Sequence, residues 1–584
     1  MKKTARLISM LLTLFMAFTC VLPAQAAFAD TGEHTVEERS YKTYLGKTSN
    51  YTLDQEFPLY FVDGVDDLPY VDIAEWTELV TFLVTELNDD PDYALEASSD
   101  GDTVTLKREN GYTMEIDYEN DKVVFTDYDA FMHGSDDTTL IDVVSVNNKD
   151  DSGNPLLIKR DKQASFDRYG DELTIDLGAY GIHTVVANNR LYVPLQTMVD
   201  LMLLPYQVGF VFNGEALFLA SDNIFYDYGE GAYTEVFDLY YKPEPRDRSD
   251  ALAEYSYNEL CMALDHFYGL KSSHDIDSFR QLFWQIGYDE VLSGPSAKDA
   301  DNALKSFIDY YLDDLHSGFN EYSWMSGMAD VPVSNGIANR KLLQHQDNFS
   351  KARDKAYPDG WLKYEEVGNT AYITFDHFTA NYDGKAYYDA KANGEELDDT
   401  IAQIIAAHAQ ITREGSPIEN VVLDMSCNTG GSVDAAVFVL GWFLGDAPFA
   451  IQNMGTGAMT NAIYRADVNL DGSFDEKDTV SDKNLYCLIS PVSFSCGNLV
   501  PAALMSSEMV TLIGRTSGGG SCVVQPMTTA YGSVFQISGA SRMSFLKNGS
   551  FYDIDQGIEP DEHLTHLSTF YDRQKLTDII NGLN

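Results

Sequence analysis

Residues 420–444 read NVVLDMSCNTGGSVDAAVFVLGWFL: an apolar run of strand length, a turn holding Gly430 and Gly431, and a second apolar run long enough for a helix from Val433. A short uninterrupted apolar run beginning Val421-Val422-Leu423 suits a strand buried on both faces. The same order recurs on either side. AYITFDHF (371–378) precedes a helical stretch over 396–412; LYCLIS (485–490) precedes the helical LVPAALM (499–505); MVTLI (509–513) runs into a glycine-rich loop. Strands alternating with helices predict βαβ units and a largely parallel sheet with helices packed outside it, an α/β core. Sites in such sheets form at the C-terminal ends of the strands.

Three loops lie at those ends. Met425–Gly431 leaves backbone N–H groups exposed at a strand-to-helix turn, as an oxyanion requires. Ser490–Asn498, SPVSFSCGN, places serines at a helix N-terminus. A serine there is either a helix cap or a nucleophile beside a free amide at the positive end of the helix dipole, and spacing alone does not separate the two. The third loop, Gly514–Ser521, carries Gly518-Gly519-Gly520.

The ordered set NVVLDMSCNTGG, LYCLISPVSFSCGN, VTLIGRTSGGGS and GIEPD (557–561) resembles the tail-specific (C-terminal processing) and tricorn-type serine peptidases, across roughly residues 251–584. That resemblance implies a crotonase-like α/β core, Ser495 as nucleophile, and an oxyanion hole from the amides of Gly431 and Cys496. Tail-specific members carry a lysine base after the serine, but here the region between Ser495 and Lys547 holds no lysine and the loop reads Gly518-Gly519-Gly520. The tricorn-like branch takes a histidine from the helical region ahead of the core. His316, in DDLHSGF (313–319), matches that role. An imidazole with a pKa near 6.5 accepts the serine proton at neutral pH without the burial a lysine base needs.

The sequence also departs from the family. Leu315 stands where tricorn has a serine before the histidine, and Asn498 stands where the serine loop usually has glutamate. Ile554 occupies the position of the acid that orients the histidine, leaving Asp555, with Asp553 as the alternative. These departures keep a second reading open: a catalytically inactive peptide- or cell-wall-binding protein that retains the peptidase core.

A further motif lies between the glycine turn and the serine strand. DVNLDGSFDEKD (467–478) presents oxygen donors at Asp467, Asn469, Asp471, Ser473, Asp475 and Asp478, with Gly472 at the sharp sixth position. Hard oxygen ligands at that spacing are those of the 12-residue EF-hand loop. It resembles a dockerin-type variant with Asp at position 12. A structural Ca²⁺ is expected, and no cofactor for catalysis.

Outward from the core, the helical pattern of residues 246–330 follows a polar hinge, KPEPRD (242–247). Ahead of it the text is β-rich, with hairpin turns at Asn110-Gly111 and Asn120-Asp121. A weak repeat is visible: LPYVD (68–72), a helix and strands, then LYVPL (191–195), a helix and a hairpin. The second copy resembles the small stalk domain at the N-terminus of copper amine oxidases, which implies a spacer or docking module and no copper. The expected organisation is a signal peptide (1–29), a β-rich domain (30–150), a stalk-like α+β domain (151–245), a helical segment (246–330) and the peptidase core (331–584).

Residues 1–29 pair Lys2, Lys3 and Arg6 with an apolar run from Ile8 to Leu22 and small residues at Ala24 and Ala26. That pattern predicts export, to the extracellular space or the cell surface, with no later membrane-spanning segment. Cleavage removes three cations and takes the formal charge from −52 to −55. So anionic a chain excludes nucleic acid as a principal partner, because binding phosphates needs clustered cations. A peptide or protein substrate remains. Five cysteines follow the leader with no CxxC, and the 11 histidines form no HExxH, so zinc chemistry has no motif. The acidic pairs Asp89-Asp90 and Asp136-Asp137 read as solvated surface, and no glycosidase motif frames them. Oligomeric state is not legible in the sequence.

Overall fold

A computed structural model describes residues 34–88, 94–133, 139–144, 153–160, 166–220, 225–227, 232–381 and 383–583. Residues 1–29, expected to be a signal peptide, and the pairs Asp89-Asp90 and Asp136-Asp137 lie outside the described residues. The molecule is mixed α/β and rich in sheet.

The parallel sheet read from residues 420–444 is present. Six strands run in the order Tyr364–Val367, Thr370–Thr374, Asn420–Asp424, Asn484–Ile489, Val510–Gly514 and Glu562–His563. The first pair is an antiparallel hairpin and every later junction is parallel. All five residues of both Thr370–Thr374 and Asn420–Asp424 are buried, because helices cover both faces. Alternation divides the strands. Ile373, Val421, Leu423 and Cys487 face the helices Thr400–Ile411, Val433–Leu444 and Cys496–Met505. Tyr372, Val422, Tyr486 and Leu488 face Ile337–Ala356, Leu567–Tyr571 and Arg573–Asn581. The helix expected over 396–412 starts at Thr400, where the Asp399 side chain caps the amide of Ala402.

A second, antiparallel sheet carries the histidine loop to this core. Its order is Gly318–Glu321, Val534–Ser544, Ala447–Asn453, Met459–Ala466 and Ile158–Arg160, with Cys522–Thr528 also paired to Val534–Ser544. Gly318 pairs with Gln536 and Phe319 with Phe535, so a strand two residues after His316 is anchored to the strand that returns from the glycine loop.

The N-terminal half holds a further five-stranded sheet: Val36–Tyr41, Phe57–Val62, Pro69–Asp72, Arg190–Pro194 and Val185–Ala187. The two repeat-like stretches pair with each other, Tyr70 opposite Pro194, Val71 opposite Val193 and Asp72 opposite Tyr192. That register places a local two-fold between the two valines. Each strand leads into a helix, Ile73–Asn88 and Leu195–Met202. Strands from 30–150 and 151–245 thus share a sheet, Leu173–Asp176 pairs with Lys122–Phe125, and Ile158–Arg160 pairs with Met459–Ala466 of the core. Helices Asp250–Phe267, Phe279–Ile286 and Ala297–Phe307 contribute to one apolar core with this half.

Among the described residues Cys261, Cys427, Cys487, Cys496 and Cys522 are free and buried. Among the described residues no helix is long and apolar enough to cross a membrane.

Candidate active site

Ser495 stands directly before the helix Cys496–Met505 with φ 55° and ψ −125°. A non-glycine residue held there stores about 1–3 kcal/mol, so its surroundings must impose the conformation. They do so through the backbone: Ser495 N–H donates to the Gly519 carbonyl at 3.0 Å, and its own carbonyl accepts from the amides of Asn498 and Leu499, each at 2.8 Å. The result is a sharp strand-to-helix turn that presents the hydroxyl, the geometry of a nucleophile elbow.

The glycine loop packs directly against this turn. A Cβ on Gly430 would lie 2.7 Å from the Cβ of Ser495 and 3.1 Å from the Cys496 nitrogen. Gly431, at φ 128°, would drive a Cβ to 2.2 Å from the Phe378 carbonyl oxygen. Both positions therefore demand glycine. Among the described residues neither the Gly431 nor the Cys496 amide donates to a backbone carbonyl. Two amides so placed beside a serine hydroxyl have the arrangement an oxyanion hole requires.

Asn428, which spacing alone did not single out, fastens the loops. Its side chain accepts from the Gly430 amide (2.9 Å) and donates to the Phe375 carbonyl (3.0 Å), while its own carbonyl accepts from the amide of Phe494 (3.1 Å). An Asn two residues before a glycine is a usual turn former, and that was the available signal. Asn498, at the position usually held by glutamate, is fully buried; it donates to the Ile554 carbonyl (2.9 Å) and accepts from the Ser517 hydroxyl (2.6 Å). Its role is to tie the serine helix to the two following loops.

His316 follows a π-helical turn, Ile308–Leu312, and is buried. Its N–H donates to Asp314 Oδ1 (3.1 Å) and its carbonyl accepts from Gln536 Nε2 (2.8 Å). Its ring lies 4.7 Å, centroid to centroid, from Phe494, the residue before Ser495, at an interplanar angle of 49°. The structure thus brings His316 and the serine turn together from positions 179 residues apart. Burial holds the imidazole pKa below its ordinary 6.5, with the fields of Asp314 and Asp555 pulling the other way. The neutral form, the one that accepts a proton, therefore dominates at neutral pH.

The acid partners sit differently from a hydrogen-bonded triad. Asp555 uses Oδ1 to accept from the amide (3.0 Å) and hydroxyl (3.1 Å) of Ser521, and reaches His316 through its field. Asp553 is exposed and paired with Arg542 at 2.5 Å. Ile554 is buried in the core. Asp314, unmarked in the sequence reading, lies in the histidine loop and also accepts from Tyr268 (2.9 Å), Ser317 and Ser538.

In the loop 467–478, Asp467 accepts from Tyr388 (2.7 Å) and from the amides of Asp471 and Gly472, Asp478 accepts from the amides of Val468, Asn469 and Asp475, and Asp471 accepts from the amide of Ser473. Lys391 donates to the carbonyls of Asn469 and Leu470. Gly472 turns at φ 82°, and Asn469 Oδ1 is buried with no hydrogen-bond partner. Among the described residues no three His, Cys, Asp or Glu side chains converge as a metal cluster. The donor set nevertheless suits a hard cation, since Asn469 offers an unsatisfied oxygen at the third position.

Residues 369–564 match the model of Peptidase family S41. No curated protein matches the chain. Among solved structures, similarity extends to the photosystem II D1 C-terminal processing protease (18% identity, 36% of this chain and 46% of that one, TM-score 0.27). It extends also to a putative peptidase from Parabacteroides merdae (15%, 55% and 92%, 0.39) and to mature CPAF (12%, 57% and 96%, 0.35). The chain thus spans less than half the length of the D1 processing protease.

Proposed function

We propose that the protein is an exported serine peptidase, tail-specific or tricorn-like, with a crotonase-like core and a Ser495/His316 mechanism. The observation that carries this reading is the strained serine turn, flanked by the amides of Gly431 and Cys496, neither of which donates to a backbone carbonyl among the described residues, and approached by a buried histidine. His316 takes the Ser495 hydroxyl proton as Oγ bonds to the scissile carbonyl carbon, and the carbonyl π electrons move onto oxygen, held by the two amides. The C–N bond then breaks and His316 returns the proton to the leaving amine. Water, deprotonated by His316, attacks the acyl carbon, and Ser495 leaves reprotonated. Asp555 and Asp314 stabilise the transient imidazolium through their fields.

Fluorophosphonate labelling of the mature protein, compared with Ser495→Ala and His316→Ala, tests this assignment. Labelling confined to wild type supports it. An unlabelled wild type overturns it and leaves the binding-protein reading in its place. The pH dependence follows from the burial of His316. Because the proton acceptor is the neutral ring and its pKa is depressed, the labelling rate should rise with pH through a midpoint below 6.5 and be flat by pH 7. A midpoint at or above 6.5 contradicts a buried base.

We also propose that the 467–478 loop takes a structural Ca²⁺ through Asp467, Asn469, Asp471, Ser473, Asp475 and Asp478, bracing the segment between glycine turn and serine strand. Extracellular sites of this type have Kd values of about 10⁻⁴–10⁻³ M. At a hundredfold excess over Kd the bound ion adds about 2.7 kcal/mol of stability. Calorimetry with and without Ca²⁺ should therefore show a higher Tm with the ion, an increment lost in Asp471→Ala. An identical Tm in Ca²⁺ and EGTA rules the site out. The N-terminal half serves as a spacer or docking module in this reading, and the location is extracellular or at the cell surface.

A further inference from the structure

We propose that Phe494 is a positioning residue for His316: the phenyl ring, in place of a carboxylate hydrogen bond, sets the plane of the imidazole beside Ser495. This inference rests on the Ser495/His316 reading and adds a residue to it.

Four observations support it. First, the backbone of His316 is held at both ends, by Asp314 and Gln536, yet among the described residues no hydrogen bond reaches either ring nitrogen. The ring is placed by packing alone. Second, the ring packed against it is Phe494, 4.7 Å away and itself buried. Third, the nearby carboxylates are committed elsewhere: Asp314 to Ser317, Ser538, Tyr268 and the His316 amide, Asp555 Oδ1 to Ser521. Those two acids are the charged groups that act on the histidine, and the Tyr268 hydroxyl and the Cys522 thiol lie close to both of them.

Fourth, the third glycine of Gly518-Gly519-Gly520 exists to seat this ring. A Cβ on Gly520 would come within 2.3 Å of Phe494 Cε2 and 2.5 Å of Cζ. Phe494 also bridges to Gly519, and its own amide is bound to the Asn428 carbonyl, so the phenyl group has little room to move. Gly520, the last residue of the run that takes the place of the loop lysine in the tail-specific branch, thereby acquires a steric reason: it makes room for the ring that orients a histidine base, while Gly518 and Gly519 clear the carbonyls of Pro491 and Asp555.

The test uses Phe494→Ala, Gly520→Ala and the double variant in the full mature chain, with circular dichroism and Tm as controls of folding. A misplacement of the base near 1 Å lowers turnover roughly 10²-fold. Phe494→Ala should therefore lower the fluorophosphonate labelling rate and kcat by about that factor, with KM for a peptide substrate changed less than about twofold. Gly520→Ala, which crowds the ring and also strains a backbone held at φ 81° and bound to the Asp555 carbonyl, should lower both as well, and the loss in the double variant should be smaller than the product of the two single losses, since the crowding requires the ring. Additive losses overturn the proposal. An independent readout requires no catalysis: the imidazole of His316, followed by NMR in histidine-labelled protein, should titrate at higher pH in Phe494→Ala than in wild type, because water enters the space left by the phenyl group. If wild type fails to label, the peptidase reading fails and the titration alone decides the role of Phe494. An unmoved titration midpoint overturns it.

Discussion

Ser495→Ala is expected to abolish peptide hydrolysis, with a loss of kcat on the order of 10⁶-fold, the cost of removing the nucleophile from a serine peptidase. The fold should not notice. No hydrogen bond within the described residues depends on the Ser495 hydroxyl, and its backbone contacts to Gly519, Asn498 and Leu499 are those of any residue at that position. Alanine at φ 55° carries the same strain as serine, so Tm should stay within about 1 °C of wild type. Differential scanning calorimetry and a peptide-hydrolysis assay on the same preparation check both halves. Undiminished hydrolysis removes Ser495 from the chemistry; a large fall in Tm shows a structural duty that the backbone contacts do not reveal.

Arg573→Met is expected to be the most damaging substitution for stability away from the site. Arg573 is buried on the closing helix and donates to Asp424 (2.7 Å), Thr374 (3.0 Å) and the Phe570 carbonyl (3.2 Å), with its guanidinium 4.5 Å over the Tyr372 ring. Asp424 ends the central strand, fully buried, and uses its other oxygen to hold the amide and hydroxyl of Ser426. Removing the cation leaves that carboxylate buried with hydroxyl and amide partners only, a loss of about 3–5 kcal/mol. Urea denaturation should show the lowered midpoint. The pair Asp424→Asn with Arg573→Met should recover part of the loss, because no unpaired charge then remains. Since Ser426 opens the segment that leads through Asn428 to Gly430 and Gly431, turnover should fall in Arg573→Met even where the protein is folded. A single variant as stable as wild type would falsify the view that this ion pair locks the strand end.

These two sites differ in how far the sequence reveals them. Local rules located the loops that hold Ser495, Gly431 and Cys496, through apolar runs of strand length, glycines where a strand turns into a helix and serines at a helix N-terminus, while the roles of these three residues came from the resemblance of the ordered motifs to the serine peptidases. Each loop is a run of a few residues, which is why a linear text carries it, although the contacts that shape it, Ser495 with Gly519 and Gly431 with Phe378, join distant parts of the chain. The parallel order of the core strands followed from the same alternation, and the repeat at LPYVD and LYVPL proved to be two strands paired about Val71 and Val193.

What sequence alone determined, then, was the α/β core and the serine and glycine loops, because each is encoded by periodicity or by a short motif, while the candidate histidine was named through the family resemblance. Only tertiary structure decided how these meet. The strand pairing of Phe319 with Phe535 carries His316 to the serine loop, Phe494 takes the place beside the imidazole, Asn498 becomes a buried tie, and Arg573 reaches Asp424 across 149 residues. Such contacts depend on which strands are neighbours and which faces turn inward, and strand neighbourhood is a property of the whole sheet, fixed by burial on both its faces.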